Sequence, residues 1–418
     1  MAADDRAQGR RIAEGLSWRQ LIELEACARC GECRGWCPVY AQDAREAICA
    51  RGKLDALRGL VRGSLPEAGR ATFLESLYEC SACGQCHVVC PVRIDTPELW
   101  EQARLAVGRA GFPRPESQTR QLGVIREFNN SYSRPQAERG LWAERAWRAG
   151  LLAAPVRLWR DHPAPVLYFA GCTASFDPAM QHVAVLTARL LQEAGIDFAI
   201  LGPDEPCCAS KLRRMGDETF PGEAARRIAQ LRALGTETIV ASCAGCFKGL
   251  HGDYARLPSG TLPVLHLTQL LARLVAEGRL PLRAEVPLRV TYHDPCHLGR
   301  HSQVYDEPRR VLAAIPGLKL VEMPRHGAFS SCCGMGGGLK IANEGLQHRM
   351  AAQRIREAEA TGAEAVVTPC QTCCIGLSNG VKETGSRLRV LHLNDVLARA
   401  ICPEIASEEV TAALAATD

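Results

Sequence analysis

The chain has 418 residues, of which 47% are hydrophobic and 23% are charged, and its net charge is only +4. This length predicts two to four domains, and the composition excludes a wholly disordered or fibrous protein. The arginines are scattered among acidic residues rather than gathered in a basic stripe, so nucleic acid is not expected as a partner.

The 21 cysteines are the unusual feature of the composition. The opening MAADDRAQGRRIAEG lacks the apolar stretch of a secretory signal, and charged residues follow its arginine pair too closely for a twin-arginine signal. No run of about 18 uncharged apolar residues occurs, so no direct membrane span is expected. We therefore predict a cytoplasmic protein that reaches the inner membrane, if at all, through a partner. Clustered cysteines in such a compartment indicate metal or redox chemistry.

The first part of the chain is predicted to be helical. Segment 51–62 places its apolar residues on one helical face, and so does segment 73–78. The sequence TPE at 96–98 has the form of a helix start, with proline in the first turn. Residues 1–110 are thus expected to form one helical domain.

Two cysteine quartets, each followed by proline, stand in this helical part. The spacing is typical of two [4Fe–4S] cubane clusters, because three closely spaced thiolates bind one cluster while the fourth is directed to the other. A zinc ribbon would need two cysteine pairs instead. The long insert between the quartets resembles the helical ferredoxin domain of succinate dehydrogenase iron–sulfur subunits. Cluster 1 is predicted to take Cys27, Cys30, Cys33 and Cys90, and cluster 2 to take Cys37, Cys80, Cys83 and Cys86.

Residues 111–163 are rich in proline and asparagine and then carry Trp142, Trp147 and Trp159 among arginines. This pattern predicts a helical connector. The tryptophans are expected to pack against the chain itself rather than to dock a partner.

From residue 164 onward the sequence repeats itself. The segment VLHLTQLLARL at 264–274 returns as VLHLNDVLARA at 390–400, and the cysteines recur in the same order. The repeat predicts two similar modules, residues 164–282 and 283–405, followed by a tail at 406–418.

Each module alternates short strand-like runs with amphipathic helices. The strand-like runs are VLYFA, TIVAS, VTYHDP and AVVTP. A cysteine follows each run, either directly or after one residue. Such alternation predicts an α/β fold with a parallel sheet, whose sites form beyond the carboxyl ends of its strands. The whole chain is therefore expected to combine an all-α ferredoxin domain with two duplicated α/β modules.

Each module carries five cysteines, including one adjacent pair. An adjacent pair is strained around a single metal ion but suits a cluster in which one sulfur bridges two irons, and five ligands exceed what one cubane requires. Buried small residues or a zinc site are the alternative interpretation. The sets are Cys172, Cys207, Cys208, Cys243 and Cys246, then Cys296, Cys332, Cys333, Cys370 and Cys373.

The stretches YHDPCHLGRHSQVYDEPRRVL at 292–312 and SCCGMGGG at 331–338 resemble the cysteine-rich CCG family. Within it, the chain resembles the D subunit of heterodisulfide reductase and the K-type subunits of sulfate-reducer membrane complexes. The resemblance implies that each five-cysteine set holds a noncubane [4Fe–4S] cluster, with a disulfide cleaved between them. Ala209 departs from the family motif, which has glycine there, so one or two such clusters are expected.

Residues outside these sets receive other roles. His293 and His297 flank Cys296 and are candidate catalytic proton donors, although each could instead cap a strand end. His87 is expected to pack beside a cluster. A dinucleotide loop is not expected at Gly334–Gly338, because the position of its third glycine is Leu339, so neither NAD nor FAD is predicted on this chain. These glycines are instead expected to let the backbone approach a cluster closely. Cys49, Cys374 and Cys402 are expected to be structural, although Cys374 could replace Cys373 as a ligand.

Two functions fit these patterns. The first is an oxidoreductase subunit that moves electrons through the cubanes to a site where a disulfide or thiol substrate reacts. The second is a relay between a flavin dehydrogenase, for hydroxy acids or acyl-CoA compounds, and quinone or ferredoxin. Complete cysteine sets and the histidines near Cys296 favour the first. Either function requires partner subunits of a flavoprotein or membrane cytochrome b type.

Overall fold

The computed structural model describes residues 2–416. Its N-terminal part is helical, as the sequence predicts, and the apolar faces of these helices share one core around Leu57, Leu77 and Trp100. The helices are α1 (Ala2–Glu14), α2 (Trp18–Glu25), α3 (Glu32–Trp36), α4 (Ala50–Val61), α5 (Glu67–Tyr78), α6 (Gln85–Val88) and α7 (Thr96–Arg109).

The helix starts follow from local capping. At α7, Asp95 accepts a hydrogen bond from the backbone N–H of Glu98, and Pro97 occupies the first turn. At α2, Ser17 and Gln20 form a capping box. Because α7 is fixed in this way, its acidic residues lie on the side that later meets the first α/β module.

Two helices, α8 (Glu116–Phe128) and α9 (Leu141–Arg148), occupy the connecting segment. Trp142 and Trp159 are buried, and the Trp142 ring lies 6.3 Å from that of Tyr168, whereas Trp147 is 43% exposed. A short strand, β1 (Arg157–Leu158), also belongs to this segment and pairs with the first sheet. The connector therefore packs on the first module and adds an edge strand to it.

The first module is a parallel sheet of five strands in the order β1-β3-β2-β4-β5. Residues Val166 to Phe169 of β2 pair in register with Thr238 to Ala241 of β4. Its elements are β2 (Val166–Phe169), α10 (Gly171–Phe176), α11 (Gln181–Glu193), β3 (Phe198–Ile200), α12 (Ser210–Arg214), α13 (Phe220–Ala233), β4 (Thr238–Ala241), α14 (Ala244–Phe247), a π-helical turn (Lys248–Asp253), β5 (Val264–His266) and α15 (Leu267–Ala276).

The second module repeats this plan with a four-stranded parallel sheet in the order β7-β6-β8-β9. The fold class predicted from the sequence is thereby confirmed. The elements are β6 (Arg289–Tyr292), α16 (Asp306–Ala314), β7 (Lys319–Leu320), α17 (Leu339–Ala342), α18 (Glu344–Glu359), β8 (Ala365–Thr368), α19 (Gln371–Thr384), β9 (Arg389–His392), α20 (Leu393–Ile401) and α21 (Ser407–Ala416).

The two modules pack against each other with approximate twofold symmetry. Helix α11 packs on α20, and α15 packs on α16, so in each pair a helix near the start of one module meets a helix near the end of the other. Tyr168 and Val240 of one sheet and Val290 and Val367 of the other point into the same apolar core. This shared core brings the carboxyl ends of both sheets to the same side of the molecule.

A glycine loop of the second module lies directly against the ferredoxin part. A Cβ atom on Gly337 would lie 2.4 Å from the carbonyl oxygen of Cys80, and Gly337 also has a positive φ of 63°. A Cβ atom on Gly336 would lie 2.9 Å from the carbonyl oxygen of Ser81. Only glycine allows this approach of two backbones. The run of glycines therefore serves domain docking.

Arg104 of α7 joins the three parts of the chain at this point. Its side chain is fully buried, and its guanidinium donates hydrogen bonds to four backbone carbonyls. The acceptors are Leu77 and Cys80 in the ferredoxin part, Arg214 in the first module and Gly337 in the second, at 2.5 to 2.6 Å. A single charged side chain thus fixes the relative position of all three parts.

A buried group of ion pairs reinforces this junction. Glu101 of α7 accepts from Arg213 at 2.9 Å and contacts Arg214 at 2.8 Å, while Arg214 also pairs with Asp253 at 2.5 Å. Burial raises the pKa of Glu101, but the opposing charge of Arg214 and its neighbours outweighs it and holds the pKa at about 2. Glu101 is therefore ionised at neutral pH.

We predict that Glu101→Gln strongly destabilises the protein. The change leaves the buried guanidinium groups of Arg213 and Arg214 without their carboxylate, which costs about 3–5 kcal/mol of unfolding free energy. The matched control is Glu116→Gln, which breaks an exposed pair with Arg120 one helical turn away and costs about 0.5 kcal/mol. Urea unfolding followed by tryptophan fluorescence measures both. Equal losses in the two variants would contradict the role assigned to Glu101 at the junction.

The modules differ at the residue that follows each cysteine pair. Ala209 adopts a left-handed conformation with φ of 56°, and the equivalent Gly334 has φ of 84°. For a residue other than glycine, the left-handed backbone conformation is less stable than the ordinary one by roughly 1–2 kcal/mol. A Cβ atom on Gly334 would lie 3.1 Å from the Cγ atom of Gln347, so the second module has less room there.

We therefore predict that Ala209→Gly stabilises the first module by about 0.5–1 kcal/mol, because relief of the left-handed strain exceeds the added freedom of the unfolded chain. The reverse change, Gly334→Ala, is expected to destabilise the second module by more than that, since it adds both strain and a tight contact. Unfolding curves of the metal-free protein measure both changes. A destabilising effect of Ala209→Gly would show that Ala209 is not strained.

Candidate functional site

The two cysteine quartets lie in loops of the same backbone shape. Arg29 and Gly31 in the first loop, and Ala82 and Gly84 in the second, all have positive φ values between 49° and 83°. Alternating left-handed residues turn successive backbone N–H groups toward one point, which creates a concave site for an anionic group such as an iron–sulfur cluster. Two loops of this shape, side by side, suit two clusters.

The first quartet meets the last cysteine of the second quartet. Cys27, Cys30, Cys33 and Cys90 line one cavity with about 410 Å³ of atom-free space, and Cys86 also borders it. Cys33 lies in hydrogen-bonding contact with the buried Cys49, which was expected to be merely structural. The assignment of Cys90 to the first cluster stays a prediction, because Cys86 of the other predicted set lines the same cavity.

Three other cysteines of the ferredoxin part, Cys37, Cys80 and Cys86, lie near a buried lysine. Lys53 is only 2% exposed, hydrogen-bonds Cys80 and lies 5.1 Å from the centre of the Trp100 ring. Burial raises the pKa values of Cys37 and Cys86 to about 12. Both thiols therefore keep their protons at neutral pH unless a metal replaces them. Sequence patterns gave no role to Lys53, although a lone lysine in an apolar helix face is a usable signal.

Cys83 connects this group with the second module. Its thiol is hydrogen-bonded to that of Cys332, which with burial raises the pKa of Cys83 well above its ordinary value, and Cys332 in turn contacts Cys296. Arg300 holds the junction by donating to the carbonyl oxygens of Cys83 at 2.7 Å and Ser330 at 2.6 Å. A predicted cubane ligand thus touches a predicted module ligand directly.

The ten module cysteines form one continuous series of neighbouring thiols. The two sets meet where Cys243, at the end of β4, contacts Cys370, at the end of β8. The thiols of Cys333 and Cys373 are 3.5 Å apart. In order of contact the series is Cys172, Cys207, Cys208, Cys246, Cys243, Cys370, Cys373, Cys333, Cys332 and Cys296.

One cavity between the modules receives nearly all of these sulfurs. Its volume is about 1000 Å³, including the opening to solvent, and nine of the ten module cysteines line it. The exception is Cys332, which is turned toward Cys83. Lys211, Arg214 and His297 also line the cavity, so its polar walls are cationic or neutral.

A buried arginine that the sequence patterns missed lies in the first module. Arg139 is 1% exposed, pairs with Glu205 at 2.8 Å and donates to the Cys172 sulfur over 3.4 Å. Glu205 in turn accepts from the backbone N–H groups of Ala170 and Gly171 at 2.9 Å. The hydrogen bond to Cys207 and burial raise the pKa of Cys172 well above its ordinary value, and the positive charge of Arg139 opposes them only in part. The sequence offered only a weak indication of this role, because Arg139 is one of many arginines in the connector.

The two candidate histidines occupy different places. His297 lines the cavity, and its Nε2 atom has no hydrogen-bond partner among residues 2–416. His293 is fully buried, accepts from Arg354 over 3.3 Å and lies within 4.8 Å of the ligand atoms of Cys333 and Cys373. Burial lowers the pKa of each to about 3, so both imidazoles are neutral at pH 7. His297 alone has access to a guest in the cavity.

The other residues singled out in the sequence have local roles. His87 hydrogen-bonds the carbonyl oxygen of Ile94 through Nδ1 at 2.8 Å. Cys374 is buried beside Cys370 and Cys333 but does not line the cavity. Cys402 packs in the helical core between the modules.

The donor chemistry of these sites suits iron–sulfur clusters. All 21 cysteines are free, and each lies within the described residues. Sites built from thiols alone select soft metals and iron–sulfur clusters over oxygen-preferring cations. Within residues 2–416, no helix has the length and apolar character needed to cross a bilayer.

Comparison with protein families gives two matches. The model of a cysteine-rich domain, CCG, matches residues 166–251 and 290–378, one segment in each α/β module. The model of a 4Fe-4S dicluster domain matches residues 23–94, the helical part with both quartets. Iron–sulfur clusters are therefore indicated for this chain.

Several curated proteins resemble the chain over most of its length. The D subunit of the dihydromethanophenazine:CoB–CoM heterodisulfide reductase of Methanosarcina mazei is 35% identical, over 88% of this chain and 91% of that protein. Its counterpart in Methanosarcina barkeri is 33% identical, over 93% and 96%. EtfAB:quinone oxidoreductase of Syntrophomonas wolfei is 28% identical over 93% of this chain, which spans 60% of that protein. The chain belongs to the family of heterodisulfide reductase D subunits and is an iron–sulfur oxidoreductase subunit.

Proposed function

We propose that the chain moves electrons from its ferredoxin part into the cavity between the modules, where a disulfide is reduced or a pair of thiols is oxidised. The observation that carries this proposal is the contact of Cys83 with Cys332, which joins the two groups of cysteines. Without that contact, the ferredoxin part and the cavity would be separate redox sites.

The proposed ligand sets follow the grouping of the sulfurs. Two cubane clusters would be held by the crossed quartets, with Cys90 in the first site and Cys37 in the second. Each module would hold one noncubane cluster through its five cysteines, although the strained Ala209 makes the first module the less favourable host. When bound, such clusters accept and release single electrons. No flavin or nicotinamide is proposed on this chain.

The protein side chains would supply the rest of the chemistry. The cavity walls exclude most water from the sulfurs, which strengthens every charge interaction there. Lys211 and Arg214 would stabilise the negative charge of a thiolate product. His297, whose imidazole is neutral at pH 7 and whose Nε2 atom has no partner in the described residues, would accept a proton from an incoming thiol.

A relay function is the second candidate, and one comparison favours it. The relative from Syntrophomonas wolfei is named EtfAB:quinone oxidoreductase, and this chain aligns with it over 93% of its own length. In that case the chain would pass electrons between a flavin dehydrogenase or acyl-CoA redox complex and quinone or ferredoxin. Partner subunits of a flavoprotein or membrane cytochrome b type are proposed for either function, and partners of the membrane type would hold the chain at the inner membrane.

We predict that a thiol substrate changes the electron paramagnetic resonance spectrum of the oxidised protein. Anaerobically purified chain, oxidised with and without glutathione or coenzyme M, should give a new signal only with a thiol that binds in the cavity. The reason is that the substrate sulfur would enter among thiols that already contact one another. The signal should disappear in Cys370→Ser.

The matched control for this experiment is Cys402→Ser, which removes a buried cysteine outside both sets. This variant should keep the thiol-induced signal. If none of the thiols tested changed the spectrum, the result would favour the relay function over catalysis in the cavity.

We also predict that Lys53→Met lowers the midpoint potential of the second cubane site. Loss of a buried positive charge beside Cys80 would destabilise the reduced, more negative state. A shift of about 60 mV or more is expected, which corresponds to a tenfold change in a one-electron equilibrium. Redox titration followed by electron paramagnetic resonance measures it. The exposed Lys382→Met on α19 should shift nothing, and equal potentials in both variants would contradict the assignment.

A further inference from the structure

Cys30 differs from every other cysteine of the chain in its exposure. Of the 21 cysteines, all of which lie within residues 2–416, Cys30 alone is exposed to solvent. It lines the first ferredoxin site, none of whose cysteines lines the cavity between the modules. The exposed sulfur therefore marks the place where the internal redox groups come nearest to an external protein.

A shallow depression with about 800 Å³ of atom-free space, open to solvent, adjoins Cys30. Arg34, Trp36 and Arg51 from the ferredoxin part line it together with Arg325 from the second module. We call Cys30, these four residues and the adjacent Phe329 the docking surface. It spans two parts of the chain, so its shape depends on the assembled protein.

Aromatic and guanidinium groups stack at the centre of the docking surface. The Arg325 guanidinium lies 4.8 Å from the centre of the Trp36 ring, and that ring lies 5.2 Å from the ring of Phe329. Phe329 is 45% exposed. Arg325 also donates to the carbonyl oxygen of Gly35 over 3.4 Å and to the Ser331 hydroxyl over 3.3 Å. Tryptophan, phenylalanine and arginine are the residues enriched in protein interfaces and their hot spots.

The docking surface has an excess of positive charge. Arg51 pairs with Glu46 at 2.6 Å, and Arg34 shares the same carboxylate at 3.8 Å. Arg325 has no carboxylate within 4 Å in the described part of the chain, where its contacts are to neutral groups. Two acidic residues, Glu46 and Glu32, therefore face three arginines. Glu32 accepts a hydrogen bond from the Trp36 indole at 3.2 Å.

We propose that the docking surface binds an acidic protein that carries one electron at a time, and that this carrier exchanges its electron with the chain at Cys30. The proposal rests on the proposed function, since it names the partner of the same electron path. In the forward direction the carrier is oxidised by one electron and the first cubane site is reduced. No bond forms or breaks, and no proton moves.

The physical reason for an acidic carrier is charge complementarity. Transient redox encounters bury little area and rely on opposite charges for fast association. The unpaired Arg325 is the strongest attractor of carboxylates on this surface. Its stacking on Trp36 holds the guanidinium in place, so little side-chain freedom is lost on binding.

The test uses the full chain with its clusters and a plant-type [2Fe–2S] ferredoxin, an acidic one-electron carrier, as the probe. Arg325→Glu should weaken binding to immobilised ferredoxin about tenfold at low ionic strength and slow cluster reduction by ferredoxin by a similar factor. Both effects should shrink at about 0.5 M salt. Arg325→Lys should restore most of the binding, because it keeps the charge.

The matched control is Arg387→Glu, the same charge reversal at an exposed arginine just before β9, on the sheet edge opposite the cysteines. Binding and rate should equal those of the unaltered protein. The docking proposal would be overturned if neither Arg325→Glu nor salt changed the affinity for ferredoxin, or if the basic protein cytochrome c bound more tightly than ferredoxin.

Reduced methyl viologen is a small-molecule electron donor that needs no docking surface. Failure of methyl viologen to reduce any cluster would instead refute the proposed function.

Discussion

The structure depends on one constraint, the close approach of the glycine loop of the second module to the backbone of the second cysteine loop. Gly337 leaves no space for a Cβ atom beside Cys80, and Arg104 binds the carbonyl oxygens of both residues. Because the two backbones touch, the thiols of Cys83 and Cys332 also touch. A small outward shift of the ferredoxin part would break the only series of sulfur contacts that leads from it to the cavity in the described residues.

Much of this arrangement could be predicted from the sequence because its signals are local. The quartets Cys27–Cys37 and Cys80–Cys90 have a spacing that only a few cofactors satisfy, and the repeated strands ahead of Cys243 and Cys370 fix a parallel sheet. The family models and relatives confirm the family and the fold class. The ligand sets and the catalytic roles of His293 and His297 stay predictions, although the cavity now distinguishes the two histidines.

What the sequence did not reveal are contacts between residues far apart in the chain. Arg139 reaches Cys172, Lys53 reaches Cys80, and Arg104 reaches Gly337, and none of these pairs forms a local pattern. Lysine and arginine are common in this chain. Only their burial in the fold distinguishes Arg139, Lys53 and Arg104 from the many that are exposed to solvent. The glycine loop was expected to approach a cluster, whereas it approaches the backbone that carries the cluster cysteines.

The orientation of Cys332 makes the two halves of the cavity unequal. The modules arose as copies of one plan and enclose the cavity almost symmetrically, yet only the second copy turns a sulfur outward to the ferredoxin part. On the proposed electron path, an electron from the ferredoxin part would reach the sulfurs of the second copy before those of the first copy. Two nearly symmetric modules with one point of contact to the ferredoxin part would therefore be reduced one after the other on that path, and not at the same time.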